Sequence, residues 1–465
     1  MTHDLIVIGA GPAGMSAAIT AAGLGLKTLV LDEQARPGGQ IYRNVSRATG
    51  GMDKILGPDY VYGRQIVAAL EAASVDIRLS STVWDITPDF CVRALQDGKA
   101  LQFQAPQLIV ASGALERPSP VPGWTLPGVL NAGAAQIAMK SGASIPSGRI
   151  VLAGGGPLLL LVACQLLDAG AQLAGVVETS PAENLVHAAP SLLGALRSPK
   201  LLAKGLAMTM RLRKAGIPWH KRAAGLRIEG QDKAEALSFT AGGQRHRLEA
   251  DTVLLHHGVI PNTQISRLLR TDHDWNEAQL AWQPRLDAFY ETSVTGLRIA
   301  GDGGGIGGAR AAEASGRLAA IGAAHALGRL DGHERDRLCA PERKNLAAQM
   351  RIRPFLDALY RPPKWVIVPE GETIVCRCEE VTATDIRNSV ALGSRGPNQT
   401  KFYSRCGMGP CQGRICGPTV TQILADELCV SPSEIGAYQV RSPLKPITLQ
   451  QMASLREAPK EKETA

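Results

Sequence analysis

The stretch Asp4–Gln34, "DLIVIGAGPAGMSAAITAAGLGLKTLVLDEQ", decides the fold of this chain. A short apolar run, Leu5–Ile8, is followed at once by glycines with the spacing G-x-G-x-x-G. A helix of small residues comes next, and a second apolar run ends in Asp32. Strand, glycine turn, helix, strand and acid in this order form the fingerprint of a dinucleotide-binding βαβ unit. The stretch therefore predicts an α/β fold with a parallel sheet.

The three glycines of this turn have separate roles. Gly9 allows the tight turn, Gly11 lets the backbone approach a pyrophosphate, and Gly14 lets the helix pack close to the strand. The N–H groups at the start of the helix face the phosphates, and the acid accepts hydrogen bonds from ribose hydroxyls. We expect a dinucleotide to be bound by these residues: Gly9, Gly11, Pro12, Ala13, Gly14, Asp32 and Glu33.

A second unit of the same kind begins at "RIVLAGGGPLLLLVACQLLDAGAQLAGVVE". Gly154 and Gly156 follow an apolar strand, and Glu178 ends the next strand, but Leu159 replaces the third glycine. A leucine at this contact pushes the helix away from the strand, which disfavours NAD. We expect the fold to survive, with a different nucleotide such as ATP or ADP, or none, at Gly154–Leu159, and NAD as the alternative.

A third glycine-rich segment reads "LRIAGDGGGIGGARAAEASGRLAA". Leu297–Ala300 is predicted to be a strand that ends at Asp302, and Gly303–Gly308 a turn into an alanine-rich helix. An acid that faces a glycine-rich helix N-terminus suits a polyol chain followed by a phosphate.

Length and composition narrow the function classes. The chain has 465 residues, which suggests about three domains, and a net charge of +8. The basic residues are spread out with few aromatic residues between them, so nucleic acid is a poor match. The sequence begins with no recognisable signal peptide, and its most membrane-like stretch, Val151–Gly170, fits a buried strand–turn–helix better than a membrane span. We expect a cytoplasmic protein.

Five of the nine cysteines fall between Cys376 and Cys416. Cys376 and Cys378 form a C-x-C pair that is too close to bridge comfortably, and disulfides are rare in the cytoplasm. Structural zinc usually takes C-x2–4-C pairs. Four thiolates from two glycine-rich loops suit an iron–sulfur cluster best, with zinc as the alternative. Cys416 is a further candidate, although it is predicted to lie inside a helix.

Taken in order, these segments resemble the flavoproteins with two dinucleotide-binding domains. The resemblance implies FAD on the first unit, with Asp32 at the adenosine ribose and Asp302 at the ribityl chain. It also implies that Gly39 and Gln40 pass near the flavin, that Val83 meets the adenine, and that Ser112 and Gly113 form the small-residue crossover. The disulfide reductases of this superfamily carry a redox-active cysteine pair. Here Cys91 and Cys164 are isolated in or beside apolar stretches, which favours a place in the core.

The cysteine segment resembles the bacterioferritin-associated-ferredoxin-like [2Fe–2S] domain. The resemblance implies the ligands Cys376, Cys378, Cys406 and Cys411, although four residues rather than two separate the second pair. "GAGPAGMSAA", "DEQARPGGQIYR", "GVIPNT" and "CRCEEVT…CGMGPCQGRIC" together resemble the large (alpha) subunits of heteromeric bacterial dehydrogenases. These include opine oxidases, D-hydroxyproline and L-proline dehydrogenases, and hydrogen cyanide synthase.

This second resemblance implies an electron-transferring subunit with several expected partners. Amine oxidation would occur on an FAD-containing beta subunit, a small ferredoxin-like gamma subunit is possible, and FMN could lie at a subunit interface. The alternatives are a self-sufficient NAD(P)H-dependent reductase, a hydrogen cyanide synthase subunit that oxidises glycine, and a scaffold without turnover. No catalytic residue is assigned. Besides the cytoplasmic location, we expect a peripheral contact of the protein with the inner membrane face.

The expected domains follow the motifs. They are a discontinuous FAD domain (1–116 and 290–330), a second nucleotide-binding-like domain (117–289), a connecting segment (331–370), a helical [2Fe–2S] domain (371–430), and a C-terminal extension with a disordered tail (431–465).

Overall fold

The computed structural model describes residues 3–48 and 50–455; the disordered tail predicted from about Glu457 lies outside them. The strands are, in chain order, β1 (Leu5–Ile8), β2 (Thr28–Leu31), β3 (Val75–Arg78), β4 (Thr82–Ile86), β5 (Cys91–Gln96), β6 (Lys99–Gln104), β7 (Gln107–Val110), β8 (Ala114–Glu116), β9 (Val129–Asn131), β10 (Arg149–Gly154), β11 (Gln172–Glu178), β12 (Trp219–His220), β13 (Ala224–Glu229), β14 (Ala236–Ala241), β15 (Gln244–Glu249), β16 (Thr252–His256), β17 (Val259–Pro261), β18 (His273–Asn276), β19 (Ala281–Pro284), β20 (Leu297–Ile299), β21 (Ile374–Cys376) and β22 (Val381–Thr382).

The α-helices are α1 (Pro12–Gly23), α2 (Gly50–Leu56), α3 (Pro58–Val61), α4 (Gly63–Glu71), α5 (Ala132–Gly142), α6 (Pro157–Asp168), α7 (Glu183–Ala188), α8 (Leu192–Leu196), α9 (Pro199–Lys214), α10 (Gln264–Leu268), α11 (Ala309–Ala326), α12 (Gly332–Met350), α13 (Arg353–Leu359), α14 (Lys364–Ile367), α15 (Ala383–Ala391), α16 (Pro397–Ser404), α17 (Gly417–Leu428), α18 (Pro432–Ile435) and α19 (Leu449–Ala453). Two 3-10 helices cover Ala189–Ser191 and Gly301–Gly303.

The first sheet has the strand order β20-β7-β1-β2-β3, and all its pairs are parallel. The chain leaves this sheet after β7 and returns in β20, so the first unit is discontinuous in sequence. Helices α1 and α11 pack against each other at very close range: a Cβ at Gly316 of α11 would lie 2.1 Å from the carbonyl oxygen of Ala13. The small residues seen in the sequence are therefore required where these two helices meet.

The second sheet repeats the arrangement with the parallel order β12-β11-β10-β16-β9. The turn after β10 is tight, because a Cβ at Gly154 would lie 1.8 Å from the carbonyl oxygen of His256. Leu159 is 1% exposed and joins the main apolar core. The βαβ unit thus forms despite the missing third glycine.

The C-terminal domain is small and largely helical. The hairpin β21–β22 leads into α15, whose start is fixed by a capping box between Thr382 and Asp385. Helices α15, α16 and α17 surround an apolar core of their own. Two nucleotide-binding-like units followed by a small helical domain confirm the predicted fold class, while the domain boundaries remain a prediction.

The described part of the C-terminal extension returns from the helical domain to the first unit. Leu444 N–H donates to the Trp84 carbonyl at 2.6 Å, and Lys445 pairs with Glu33. Val440 and Leu444 are buried in the apolar cluster under the first sheet. The extension therefore fixes the helical domain against the first unit.

Candidate functional site

A cleft of about 400 Å³ opens at the carboxyl edge of the first sheet. Ligands of open α/β sheets bind at this edge. Twelve of the thirteen residues predicted to bind FAD line the cleft: Gly9, Gly11, Pro12, Ala13, Asp32, Glu33, Gly39, Gln40, Val83, Ser112, Gly113 and Asp302. Gly14 does not line it. A Cβ at Gly14 would lie 1.7 Å from the Gly9 carbonyl oxygen, so Gly14 serves the packing of helix against strand.

One end of the cleft is organised by Asp32. Its carboxylate accepts the N–H of Ala10 at 2.5 Å and the N–H of Gln34 at 2.7 Å. Burial raises the pKa of Asp32, and the two backbone hydrogen bonds act against that rise. Val83, Leu444 and Lys445 line this same cleft. The fixed carboxylate suits a ribose, with an aliphatic wall beside it for a purine.

Asp302 is also held by backbone groups. Its Oδ1 accepts the N–H of Gly307 and of Gly308, each at 2.9 Å, at the start of α11. The Asn262 N–H donates to the Gly113 carbonyl at 3.0 Å, which joins the two crossover segments across the cleft. These contacts leave glycine backbone and one acid facing the cleft, as an extended polyol phosphate requires.

Glu116 and Gln136 line a further part of the cleft, and Lys140 lies against Gln136. Glu116, at the end of β8, accepts the N–H of Gly133 in the first turn of α5 at 2.9 Å. Gln136 and Lys140 follow on the same helix, with Lys140 Nζ 2.9 Å from Gln136 Oε1 and 3.1 Å from the Gln40 carbonyl oxygen. Burial lowers the pKa of Lys140 to about 7. This part of the cleft therefore carries a carboxylate and an amide, and a buried amine lies against them.

Three buried thiols meet in the helical domain. The Sγ atoms of Cys376, Cys406 and Cys416 lie within 4.8 Å of one another. Hydrogen bonds from Cys406 and Cys416 lower the pKa of Cys376 to about 2, and the same contact raises the pKa of Cys406 to about 12. Three buried sulfurs at this spacing are the type of ligand that soft metals take.

Cys378 and Cys411 form a second pair beside this trio. The Cys411 backbone N–H and its thiol both hydrogen-bond to the Cys378 thiol. Gly409 permits this contact, because a Cβ there would lie 2.2 Å from Cys378 Cβ. The four predicted ligands therefore belong to one thiol-rich region. Cys416 is a fifth candidate. The sequence predicts it inside a helix, but α17 begins at Gly417, which leaves Cys416 at the N-cap.

Arg414 connects the two sites. It lies in the cysteine loop, where its Nε donates to the Cys411 carbonyl at 3.1 Å, and its side chain also lines the cleft of the first unit. Arg414 forms no ion pair with any described residue. A free guanidinium between the cleft and the thiols favours negative charge at either place.

The glycine turn of the second unit is partly covered. A Cβ at Gly155 would lie 2.7 Å from Ser180 Oγ and 3.6 Å from the ring of Tyr360, which follows α13. Asn184 holds this segment by donating to the carbonyls of Leu359 and Arg361. Glu178, the acid that would meet a ribose, accepts the indole N–H of Trp219 at 3.2 Å. Ser180 and Tyr360 therefore lie against the glycine turn, and Trp219 occupies one acceptor of Glu178.

The adjacent histidines point to opposite faces, as their position at the end of a strand predicts. His257 lies between Ser119 Oγ (2.7 Å) and Thr179 Oγ1 (3.1 Å), and burial lowers the pKa of His257 to about 3. His257 is therefore a neutral structural residue. His256 turns the other way and places Nδ1 2.5 Å from Glu116 Oε1.

Several residues of the site lie outside the glycine motifs, and the sequence does not single them out. They are Glu116, Gln136, Lys140, Arg414 and Lys445. Arg414 alone has a signal nearby, because it lies between Cys411 and Cys416 of the cysteine segment. The others depend on how α5 and the C-terminal extension pack.

Comparison with known proteins agrees with this arrangement. Residues 3–320 match the family "Pyridine nucleotide-disulphide oxidoreductase", and residues 374–426 match the "BFD-like [2Fe-2S] binding domain". The first range contains all thirteen residues predicted to bind FAD, and the second contains all five clustered cysteines. The chain is thus an FAD-dependent oxidoreductase that carries a [2Fe–2S] domain.

Relatives match over nearly the whole chain. The A subunit of the opine oxidase of Rhizobium meliloti is 42% identical, and the match covers 97% of this chain and 88% of the relative. The corresponding opine oxidase protein from Agrobacterium tumefaciens is 43% identical, over 97% and 92%. The HcnB subunit of the hydrogen cyanide synthase of Pseudomonas protegens is 33% identical, over 96% and 97%.

A solved structure shares the fold. The L-proline dehydrogenase of P. horikoshii has a TM-score of 0.71 over 98% of this chain and 80% of the other, at 19% identity. Among the described residues, no helix combines the length and the apolar character that a membrane span needs.

Proposed function

Because the chain belongs to the family of large (alpha) subunits of heteromeric FAD- and [2Fe–2S]-containing dehydrogenases, we propose that it relays electrons within such a complex. An FAD-containing beta subunit oxidises an amino or imino acid, and this chain passes the electrons onward to an acceptor. The observation that carries the proposal is Arg414, which links the wall of the FAD cleft to the cysteine loop.

The two groups suit each other chemically. Bound FAD accepts two electrons together and releases them singly, and a [2Fe–2S] cluster accepts one at a time. The first unit binds FAD through its glycine turn, Asp32 and Asp302. The thiol-rich loop holds the cluster through Cys376, Cys378 and Cys411, with Cys406 or Cys416 as the fourth ligand. Arg414 keeps the cluster loop against the cleft.

The proposed substrate is an opine, hydroxyproline or a related amino or imino acid. Higher identity to opine oxidase subunits (41–43%) than to hydrogen cyanide synthase subunits (31–33%) supports this over glycine oxidation. The site of oxidation lies on the partner in this proposal, which agrees with a cleft whose lining is taken up by FAD-binding residues.

A self-sufficient NAD(P)H-dependent reductase is the second candidate. It would need Gly154–Leu159 and Glu178 to hold a nicotinamide nucleotide. The Tyr360 ring beside the turn and the hydrogen bond from Trp219 to Glu178 disfavour such a nucleotide. A second nucleotide there, or FMN at a subunit interface, stays a prediction that no described contact supports.

Exposed apolar side chains support a partner subunit. Helices α7, α8 and α9 expose Leu185, Val186, Leu192, Leu193, Leu196, Leu201, Leu206 and Met210. Single exposed leucines are normal, but a group of this size marks an interaction surface. The beta subunit is its proposed occupant. A gamma subunit, the cytoplasmic location and a contact at the inner membrane face stay predictions.

Stepwise anaerobic photoreduction of the purified chain tests the relay. Light-driven electrons enter at the flavin, and electron paramagnetic resonance detects the reduced cluster. We expect the cluster signal to grow as electrons are added to the flavin. A Cys378→Ser variant is the control, because its flavin has no acceptor. A flavin that bleaches fully while the wild-type cluster stays oxidised would refute the relay.

A further inference from the structure

A buried pair, Glu116 and His256, lies between the flavin end of the cleft and the second glycine turn. Glu116 Oε1 is 2.5 Å from His256 Nδ1, and the two side chains are 12% and 3% exposed. With the adenosine ribose at Asp32, as proposed, the redox-active ring of an extended dinucleotide would lie further along the cleft, whose lining includes Glu116. His256 presents the other side of its ring, Nε2, to Gly156 at the turn, 3.6 Å from a Cβ there.

We propose that Glu116 and His256 form a proton relay between the flavin end of the cleft and the second glycine turn. The proposal rests on the proposed function and deepens it. Two-electron reduction of FAD takes up protons, and a [2Fe–2S] cluster accepts electrons without them. Protons therefore leave the cleft by a route of their own as the electrons depart singly to the cluster.

Each transfer in this relay balances. A proton released in the cleft binds the Glu116 carboxylate, Glu116 passes a proton to His256 Nδ1, and His256 gives up a proton from Nε2 to water at the glycine turn. The imidazole is left as the Nδ1–H tautomer. Loss of that proton to water and uptake of one at Nε2 restore the starting tautomer with no net change in protons. The two electrons leave separately to the cluster. In this role the second glycine turn is a proton exit.

If Glu116 and His256 had only a structural role, they would not need to transfer protons. Glu116 Oε2 accepts the Gly133 N–H and so caps α5. Capping needs an acceptor oxygen and no proton transfer, and glutamine supplies that oxygen. Glu116→Gln therefore separates the two roles.

Other charged groups near the pair must be considered. Lys140 lies further along α5 and has a pKa of about 7, Arg117 and His257 follow the pair in sequence, and Glu178 lies at the end of the strand beside the turn. All of these groups remain in Glu116→Gln. A solvent isotope effect on the electron-transfer rate shows that a proton moves in the rate-limiting step. It therefore tests the relay more directly than the pH dependence of the rate.

Stopped-flow measurement of electron transfer from photoreduced flavin to the cluster, in H2O and D2O across pH, tests the relay. Wild-type transfer is expected to be slower in D2O. Glu116→Gln is expected to slow it about a hundredfold, as loss of a proton-transfer group does, and to remove the isotope effect. FAD content and cluster absorption should not change. Glu183→Gln, a charge loss on exposed α7, should behave as wild type.

Transfer in Glu116→Gln at the wild-type rate, with the isotope effect intact, would overturn the proposal. If Glu116→Gln fails to bind FAD, His256→Gln and Glu116→Asp provide the same comparison: the first should lose the isotope effect and the second retain it. Absence of any flavin-to-cluster transfer in the wild type would instead refute the proposed function.

Discussion

Replacing Cys378 or Cys411 by serine abolishes the visible absorption and the paramagnetic signal of the [2Fe–2S] cluster. Such clusters are held by four thiolates, and these two thiols are in contact at the outer side of the cysteine group. Cys376→Ser should have the same effect, because Cys376 joins the buried trio to the Cys376–Cys378 pair. Iron and sulfide content and the cluster spectrum measure the loss, which should be nearly complete while FAD remains bound.

Two further variants identify the fourth cluster ligand. Only one of Cys406→Ser and Cys416→Ser should lose the cluster, since two of the three buried thiols suffice for the second iron. Cys429→Ser is the matched control, because Cys429 is exposed at the end of α17, outside the group. An intact cluster in Cys378→Ser, or its loss in both Cys406→Ser and Cys416→Ser, would contradict the ligand arrangement.

Gly11→Ala produces a folded protein that has lost most of its FAD. Gly11 has an extended backbone (φ −77°, ψ −175°) that alanine adopts freely, and its Cβ would meet only Gly39 Cα, at 3.8 Å. The fold therefore tolerates the methyl group, which takes the space where the pyrophosphate approaches the helix. Losing a hydrogen bond to a charged phosphate costs about 1.5–3 kcal/mol, or about ten- to hundredfold in Kd.

FAD release measured by flavin fluorescence, together with circular dichroism, checks this result. Gly14→Ala should behave differently, because its Cβ would collide with the Gly9 carbonyl and destabilise the fold itself. Gly23→Ala is the control: it lies at the end of α1 with open space around it. Wild-type FAD affinity in Gly11→Ala would mean that the cofactor does not pass this turn.

The residues predicted to bind FAD meet in one cleft because linear motifs determine their positions. A βαβ unit brings the carboxyl ends of β1, β2 and β7 to one edge, so Gly11, Asp32 and Ser112 meet without further information. The same logic holds for Asp302 at the end of β20. Gly14 was predicted among the binding residues, and its place behind the turn follows from the packing role of the third glycine.

The rest of the site depends on long-range packing. Glu116 and His256 are separated by 140 positions and meet only because β8 and β17 pair and α5 packs beside them. Arg414 and Lys445 reach the cleft because the C-terminal extension fixes the helical domain to the first unit. The sequence predicts Cys416 inside a helix, whereas it lies at the N-cap of α17. This shift to the N-cap decides whether its thiol faces the thiols of Cys376 and Cys406.

Anaerobic titration of the purified chain with NADH and NADPH, followed by visible absorption of the flavin and the cluster, tests the central claim most directly. We expect no bleaching at stoichiometric nucleotide, because Tyr360 lies beside the second glycine turn and electrons come from a partner subunit. Prompt bleaching by either nucleotide would contradict it, since the chain would then be a reductase that needs no partner to supply electrons.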